Sequence, residues 1–229
     1  MITIVGVGHV FDIADQVGQV IRTRQPGVVG VELDKARYEA LLDRHVREDT
    51  GGLYRLFAHF QRRIARQYGV EVGDEMLAAT RAAQAVGADV AFLDMDSSFV
   101  LARLWSSMKF EERVKLFVST FFSMFMGKKQ VERELERFDQ NSYSYIEEFA
   151  NQFPSAKRVL IDDRDGHMAE GLRKLTSRYD KIVAVVGDGH VDGIQKRLAD
   201  LGPEVIRLHD LRTMSPSSNA STSFTVVVR

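Results

Sequence analysis

The sequence predicts an α/β fold: a central, mostly parallel sheet with flanking helices and a helical insertion. Three observations predict it. Short, near-continuous apolar runs recur along the chain, as strands buried on both faces require. Helical patterns separate those runs, so strand–helix–strand units repeat. Two of the strands also end in nearly the same turn, VGVGHV at 5–10 and VGDGHV at 186–191.

Taken in order, Ile2, Ile4, Val5 and Val7 form the first buried strand. DIADQVGQVIRTRQP reads as a helix, with Asp12 placed to cap it and Pro26 to stop it. GVVGVEL at 27–33 is the second strand, and a helix follows from Lys35 to about Val46. Leu53, Phe57, Phe60, Ile64 and Tyr68 share one helical face, with arginines along much of the remainder. A helix over 73–87 and a strand at 89–94 come next. From 97 to 152 the patterns are all helical, which predicts an insertion laid over one end of the sheet. RVLIDDRD at 158–165 reads as a short strand leading into a helix. DKIVAVVGDGHV is strand and turn, DGIQKRLADLG a helix, and EVIRL a further strand. The α/β domain is expected to span 1–213. The polar segment 214–223 then reads as a linker, and SFTVVVR as an edge strand.

The 229 residues are 45% hydrophobic and 28% charged, ordinary for a globular chain with a sizeable core. A formal net charge of −1 argues against nucleic acid or an anionic membrane as partner. The absence of cysteine removes disulfides, thiolate zinc sites and cysteine nucleophiles together. It fits a reducing compartment. The N-terminus reads as a strand and turn rather than a signal peptide, so a cytoplasmic location is expected. The most apolar run, LFVSTFFSMFMG at 116–127, falls short of the ~20 residues that span a bilayer. It reads as a core helix, with a homodimer contact or a peripheral membrane contact as the alternatives.

The repeated turn has three readings. Ligands in open α/β sheets sit beyond the carboxyl ends of the strands, where both turns are expected. Gly6, Gly8, Gly187 and Gly189 give the backbone room for positive φ or for close approach to another group. A dinucleotide site is one reading, but Phe11 and Asp192 stand where the third glycine belongs. A second reading has both histidines satisfied by backbone carbonyls, as structural residues. The third is a metal site in which His9 and His190 lie side by side and Glu32, at the end of VELD, approaches the same rim. Two imidazoles and a carboxylate suit zinc, cobalt, manganese or iron and leave a position for water.

The chain resembles the TraB/PrgY pheromone-shutdown family, which is related to the Tiki metalloproteases and shares the fold of the erythromycin-esterase-like (EreA) and ChaN proteins. Four segments carry the resemblance: GVGHV at 6–10, VVGVELDKARYEALL at 28–42, FPSAKRVLIDDRDGHMAEGL at 153–172 and AVVGDGHVDGI at 184–194. The resemblance implies a peptidase-like site in which His9, Glu32 and His190 hold a divalent metal ion, with Arg37, Arg164 and Asp165 contributing to the pocket. Arg37 and Arg164 would hold a substrate carbonyl, a carboxylate or an oxyanion. The alternative for both is an ion pair with Asp34, Asp163 or Asp165. Glu32 serves as ligand or general base.

One departure concerns LDMDSSF, where Met95 stands in place of an expected arginine. Asp94 and Asp96 remain pocket residues on this reading, with Asp94 in substrate binding. His45 and His59 read as helix-surface residues, and His167, beside the third segment, is a further pocket candidate. The function expected is a metal-dependent hydrolase that cleaves peptides with a metal-activated water. The competing expectation is a peptide-binding protein that sequesters a signal without turnover. Haem binding, suggested by shared fold alone, ranks below both.

Overall fold

The computed structural model describes residues 1–8, 13–42, 74–115 and 150–214. Within them lie five strands: β1 (Ile2–Val7), β2 (Val28–Val31), β3 (Asp89–Phe92), β4 (Ile182–Gly187) and β5 (Glu204–Ile206). All neighbouring pairs are parallel, in the order β3-β2-β4-β1-β5. The apolar runs predicted these strands because every residue of β1 and β2 is buried, which only a sheet covered on both faces demands.

The described helices are α1 (Ala14–Arg24), α2 (Lys35–Leu42), α3 (Asp74–Ala85), α4 (Ser97–Ser107), α5 (Pro154–Lys157), α6 (Asp163–Leu175), α7 (Asp188–Arg197) and α8 (Leu208–Thr213). Side-chain alternation sorts them onto two faces. Val5, Val7, Val183 and Val185 point to the face covered by Val17, Val20 and Ile21 of α1, Met76 of α3 and Leu211 of α8. Ile2, Ile4, Ile182, Ala184 and Val186 point to the other, covered by Met168 and Leu172 of α6 and Val191 and Ile194 of α7. Strands β1 and β2 thus send their next helices to one face, while β4 between them sends α7 to the opposite face. Divergence of this kind opens a crevice at the carboxyl ends of the strands.

Three details differ from expectation. Residues 158–162 are a π-helical turn that joins α5 to α6, not a strand. Its apolar residues serve a helical packing face: Val159 joins Val100, Leu104, Met108, Phe153 and Ala156, with Met95 and Leu160 packed against them. A short apolar run carries too little periodicity to separate strand from helix. Next, EVIRL is a strand only over Glu204–Ile206, and the chain turns at Arg207 into α8. The N-cap of α1 is Ile13, which makes no side-chain cap bond; Asp12 lies outside the described residues. Also outside them are the 53–68 face, the 116–127 run, most of the 97–152 insertion and the tail from 215. Ser97–Ser107 and 110–115 are helical. Among the described residues no helix is long and apolar enough to cross a membrane.

Candidate functional site

The two repeated turns leave neighbouring strands. β1 pairs with β4 so that Gly6 faces Val186 and Val7 faces Gly187, a stagger of one residue between the two motifs. The second copy is a strand running straight into a helix, with Gly187 as N-cap (φ −55°) and His190 in the first turn of α7. Among described glycines positive φ occurs only at Gly87 and Gly202, and Gly6 serves close approach instead. A Cβ on Gly6 would lie 2.3 Å from Asp188 Oδ1. Asp188 needs that space because it accepts from Leu208 N at 2.9 Å and from Arg207 Nη2 at 2.7 Å, tying α7 to α8.

Glu32 follows β2 directly and is 5% exposed. Its Oε2 accepts the Gly187 N–H at 2.6 Å, which locks the end of β2 to the end of β4. Its Oε1 accepts from Arg164 Nη2 and lies 3.3 Å from His190 Nε2. His190 is buried in turn. Its Nδ1 donates to Asp165 Oδ1 at 2.6 Å. Burial disfavours charge on this imidazole, but Glu32 and Asp165 outweigh that and raise its pKa to about 9.

Arg164 is the hub. Nε donates to Asp94 Oδ1 at 2.8 Å and Nη2 to Asp94 Oδ2 at 2.7 Å, a bidentate fork. Nη1 donates to the Leu160 carbonyl at 3.1 Å and lies 3.1 Å from His190 Nε2. With the Glu32 contact, four of its five N–H groups have oxygen acceptors, and Nη1 lies beside the imidazole. Burial opposes its charge, yet Glu32 and Asp94 hold its pKa well above the ordinary arginine value. Its ion-pair partners are therefore Glu32 and Asp94, whereas Asp163 pairs with Arg103 at 3.0 Å. Arg37 enters the cluster from α2. Its guanidinium reaches Asp94 Oδ2 at 3.5 Å, with a third of the side chain exposed, while its backbone N–H is capped by Asp34 Oδ1 at 2.8 Å.

The structure thus brings together Glu32, Arg37, Asp94, Arg164, Asp165 and His190. His9 lies outside the described residues. Asp96 does not join the cluster; it caps α4, accepting from Ser98 N and Phe99 N. His167 is exposed on α6. One member went unread in the sequence. Gly193 sits in the interior of α7, and a Cβ there would fall 1.9 Å from Asp165 Oδ2. Its signal was available: a glycine inside a helix costs about 1 kcal/mol against alanine and asks for a packing reason.

The donors fit a divalent cation in chemical type. An imidazole nitrogen and a carboxylate oxygen converge, and Asp165 behind the ring supplies the outer carboxylate that metal-binding histidines commonly carry. Among the described residues no group of three His, Asp or Glu side chains is arranged to hold a metal ion.

Fold and cluster define an α/β protein with a buried imidazole–carboxylate–guanidinium site at the carboxyl ends of its strands. The chain belongs to the TraB/PrgY/gumN family, whose profile matches residues 1–205. It is 29% identical over 213 residues to an uncharacterized protein of Methanocaldococcus jannaschii, covering 87% of this chain and 54% of that one. It is 25% identical over 256 residues to a TraB domain-containing protein of Mus musculus, covering 94% of this chain and 66% of the relative. The chain therefore spans between about half and two thirds of the length of these relatives.

Proposed function

We propose that the protein is a metal-dependent hydrolase of peptides, with His190 and Glu32 as two ligands of a divalent cation and His9 as the third. The observation that carries this reading is the approach of His190 Nε2 to Glu32 Oε1 at 3.3 Å, with Asp165 on the far side of the ring. Manganese, cobalt and zinc all suit such donors. When bound, a divalent ion lowers the pKa of a ligated water toward neutrality and polarises a carbonyl.

The chain's own residues divide the remaining work. Asp165 fixes the ring of His190 so that Nε2 faces Glu32. Gly187 N–H holds Glu32 Oε2, leaving Oε1 turned toward the site as ligand or proton acceptor. Arg164 spends its N–H groups on protein partners and acts as a positioning residue. Arg37 is the residue for a substrate carbonyl or carboxylate. Among the described residues its guanidinium has a single 3.5 Å contact, and it stands at the rim.

The test is incubation of the purified chain with a peptide mixture and added manganese, cobalt or zinc, with new peptide ends read by mass spectrometry. Metal-dependent cleavage, lost in His190→Ala and Glu32→Gln, supports the hydrolase. Peptide retained on the protein without new ends shows capture of a signal peptide instead. Neither cleavage nor retention removes both readings.

A further inference from the structure

The guanidinium of Arg164 stands where a divalent ion shared by His190 and Glu32 would stand. Nη1 is 3.1 Å from His190 Nε2, and Nη2 donates to Glu32 Oε1. Those two donor atoms are 3.3 Å from each other, so the three groups form a small triangle with a side-chain cation at one corner. Asp94 fixes that corner through its fork to Nε and Nη2, and the Leu160 carbonyl fixes Nη1. The Arg164 side chain is 14% exposed, so water screens its charge poorly.

A nitrogen of an imidazole ring has one in-plane lone pair, so Nε2 ligates a metal ion only after it has given up any proton and the neighbouring guanidinium has cleared it. The Glu32 oxygen nearest the ring is likewise already engaged by a cation. A divalent ion arriving at this pair meets a positive charge held in place by the protein, and like charges at such range repel strongly where water is excluded.

We infer that Arg164 is a built-in competitor for the divalent cation: its guanidinium occupies the His190–Glu32 pair, and metal binding requires it to release both atoms. Asp94 gives the displaced guanidinium a carboxylate partner once its contacts to His190 and Glu32 are broken. The arrangement sets a threshold for metals. Ions that bind imidazole and carboxylate weakly fail to displace the guanidinium, and strongly binding ions succeed. Asp94 then sets how firmly the competitor is held. This inference rests on the metal reading of the preceding section and adds a residue that opposes the metal.

Isothermal titration of the full chain with zinc(II) chloride alone tests it, on wild type, R164Q and R164K, with H190A locating the ion. R164Q is expected to bind zinc at least about tenfold more tightly than wild type, having lost both a competing contact and a repelling charge. R164K keeps the charge without the planar fork and falls between the two. A zinc-induced rise in Tm, larger in R164Q than in wild type, gives a second readout. Equal or weaker zinc binding by R164Q overturns the competition and leaves the metal reading standing. No zinc, manganese or cobalt bound by any of the three overturns the metal reading and this inference with it. If R164Q does not fold, wild type decides. In chain labelled with nitrogen-15 at arginine and histidine, zinc is expected to shift the Arg164 side-chain signals together with His190 Nε2. Zinc bound with the Arg164 signals unmoved overturns the inference.

Discussion

Asp165 Oδ1 and His190 Nδ1 meet at 2.6 Å, both side chains buried, one from α6 and the other from α7. The contact orients the ring toward Glu32, and it exists only because α7 has no side chain at Gly193. Two predictions follow from this pair.

Asp165→Asn removes the charge behind His190 with little change of volume. If His190 ligates a metal, affinity is expected to fall by about 10–100-fold, the usual effect of losing an outer-shell carboxylate. Titration calorimetry with zinc measures it. Unchanged affinity would separate His190 from metal binding.

Gly193→Ala should behave against the helix scale. In an open helix the change stabilises by about 1 kcal/mol. Here the new Cβ would lie 1.9 Å from Asp165 Oδ2, so a net loss of about 1–3 kcal/mol is expected in urea unfolding. In an Asp165→Ala background the obstacle is gone, and the alanine should become neutral or stabilising. An equal penalty in both backgrounds would sink the explanation.

Asp94→Ala strips the fork from Arg164 and leaves a mostly buried cation with, among the described residues, Glu32 as its remaining carboxylate within 3 Å. Breaking one side of such a pair costs about 3–5 kcal/mol. Chemical denaturation gives the value. A loss under about 1 kcal/mol would show that Glu32 alone satisfies the guanidinium.

Glu112 offers a pH test away from the site. It is buried, and its carboxylate accepts from Lys109 N at 2.9 Å and Ser155 N at 2.8 Å, tying the segment at 109–112 to α5. Burial pushes its pKa upward, but the Ser155 and Lys109 N–H groups outweigh it and hold it below the ordinary 4.5. A lowered folded pKa stabilises above the unfolded value and is lost as pH falls through the folded one. Glu112→Gln should therefore cost on the order of 1 kcal/mol at pH 7, and the gap to wild type should close in acid below the folded pKa. Urea midpoints for both chains across that range check it. A gap independent of pH would assign the loss to packing.

The strands were legible in the sequence because a parallel sheet covered on both faces leaves near-continuous apolar runs, as in Ile2–Val7 and Ile182–Gly187. The repeated Gly-x-Gly-His turn marked the two strands that proved to be neighbours, and VELD placed Glu32 at their rim. Those signals are local: hydrophobic period, turn chemistry and a motif. The π-turn at Arg158–Asp162 was not legible, since five residues with a short apolar run satisfy strand and helix equally until a packing face chooses between them. Nor was the wiring of the cluster. Arg164 reaches Glu32 across 132 residues and Asp94 across 70, and Asp163, Asp165 and Asp34 were equally good partners by charge. By itself the sequence pointed to Glu32, Arg37, Asp94, Arg164, Asp165 and His190, which the structure brings together at the strand ends, and also to Asp96 and His167, which it does not. Only the tertiary structure decided which atoms meet there, because strand order and the placement of α6 against α7 are set by burial over the whole sheet, and hydrogen bonds with sub-ångström tolerance are then made between whatever groups that packing leaves face to face.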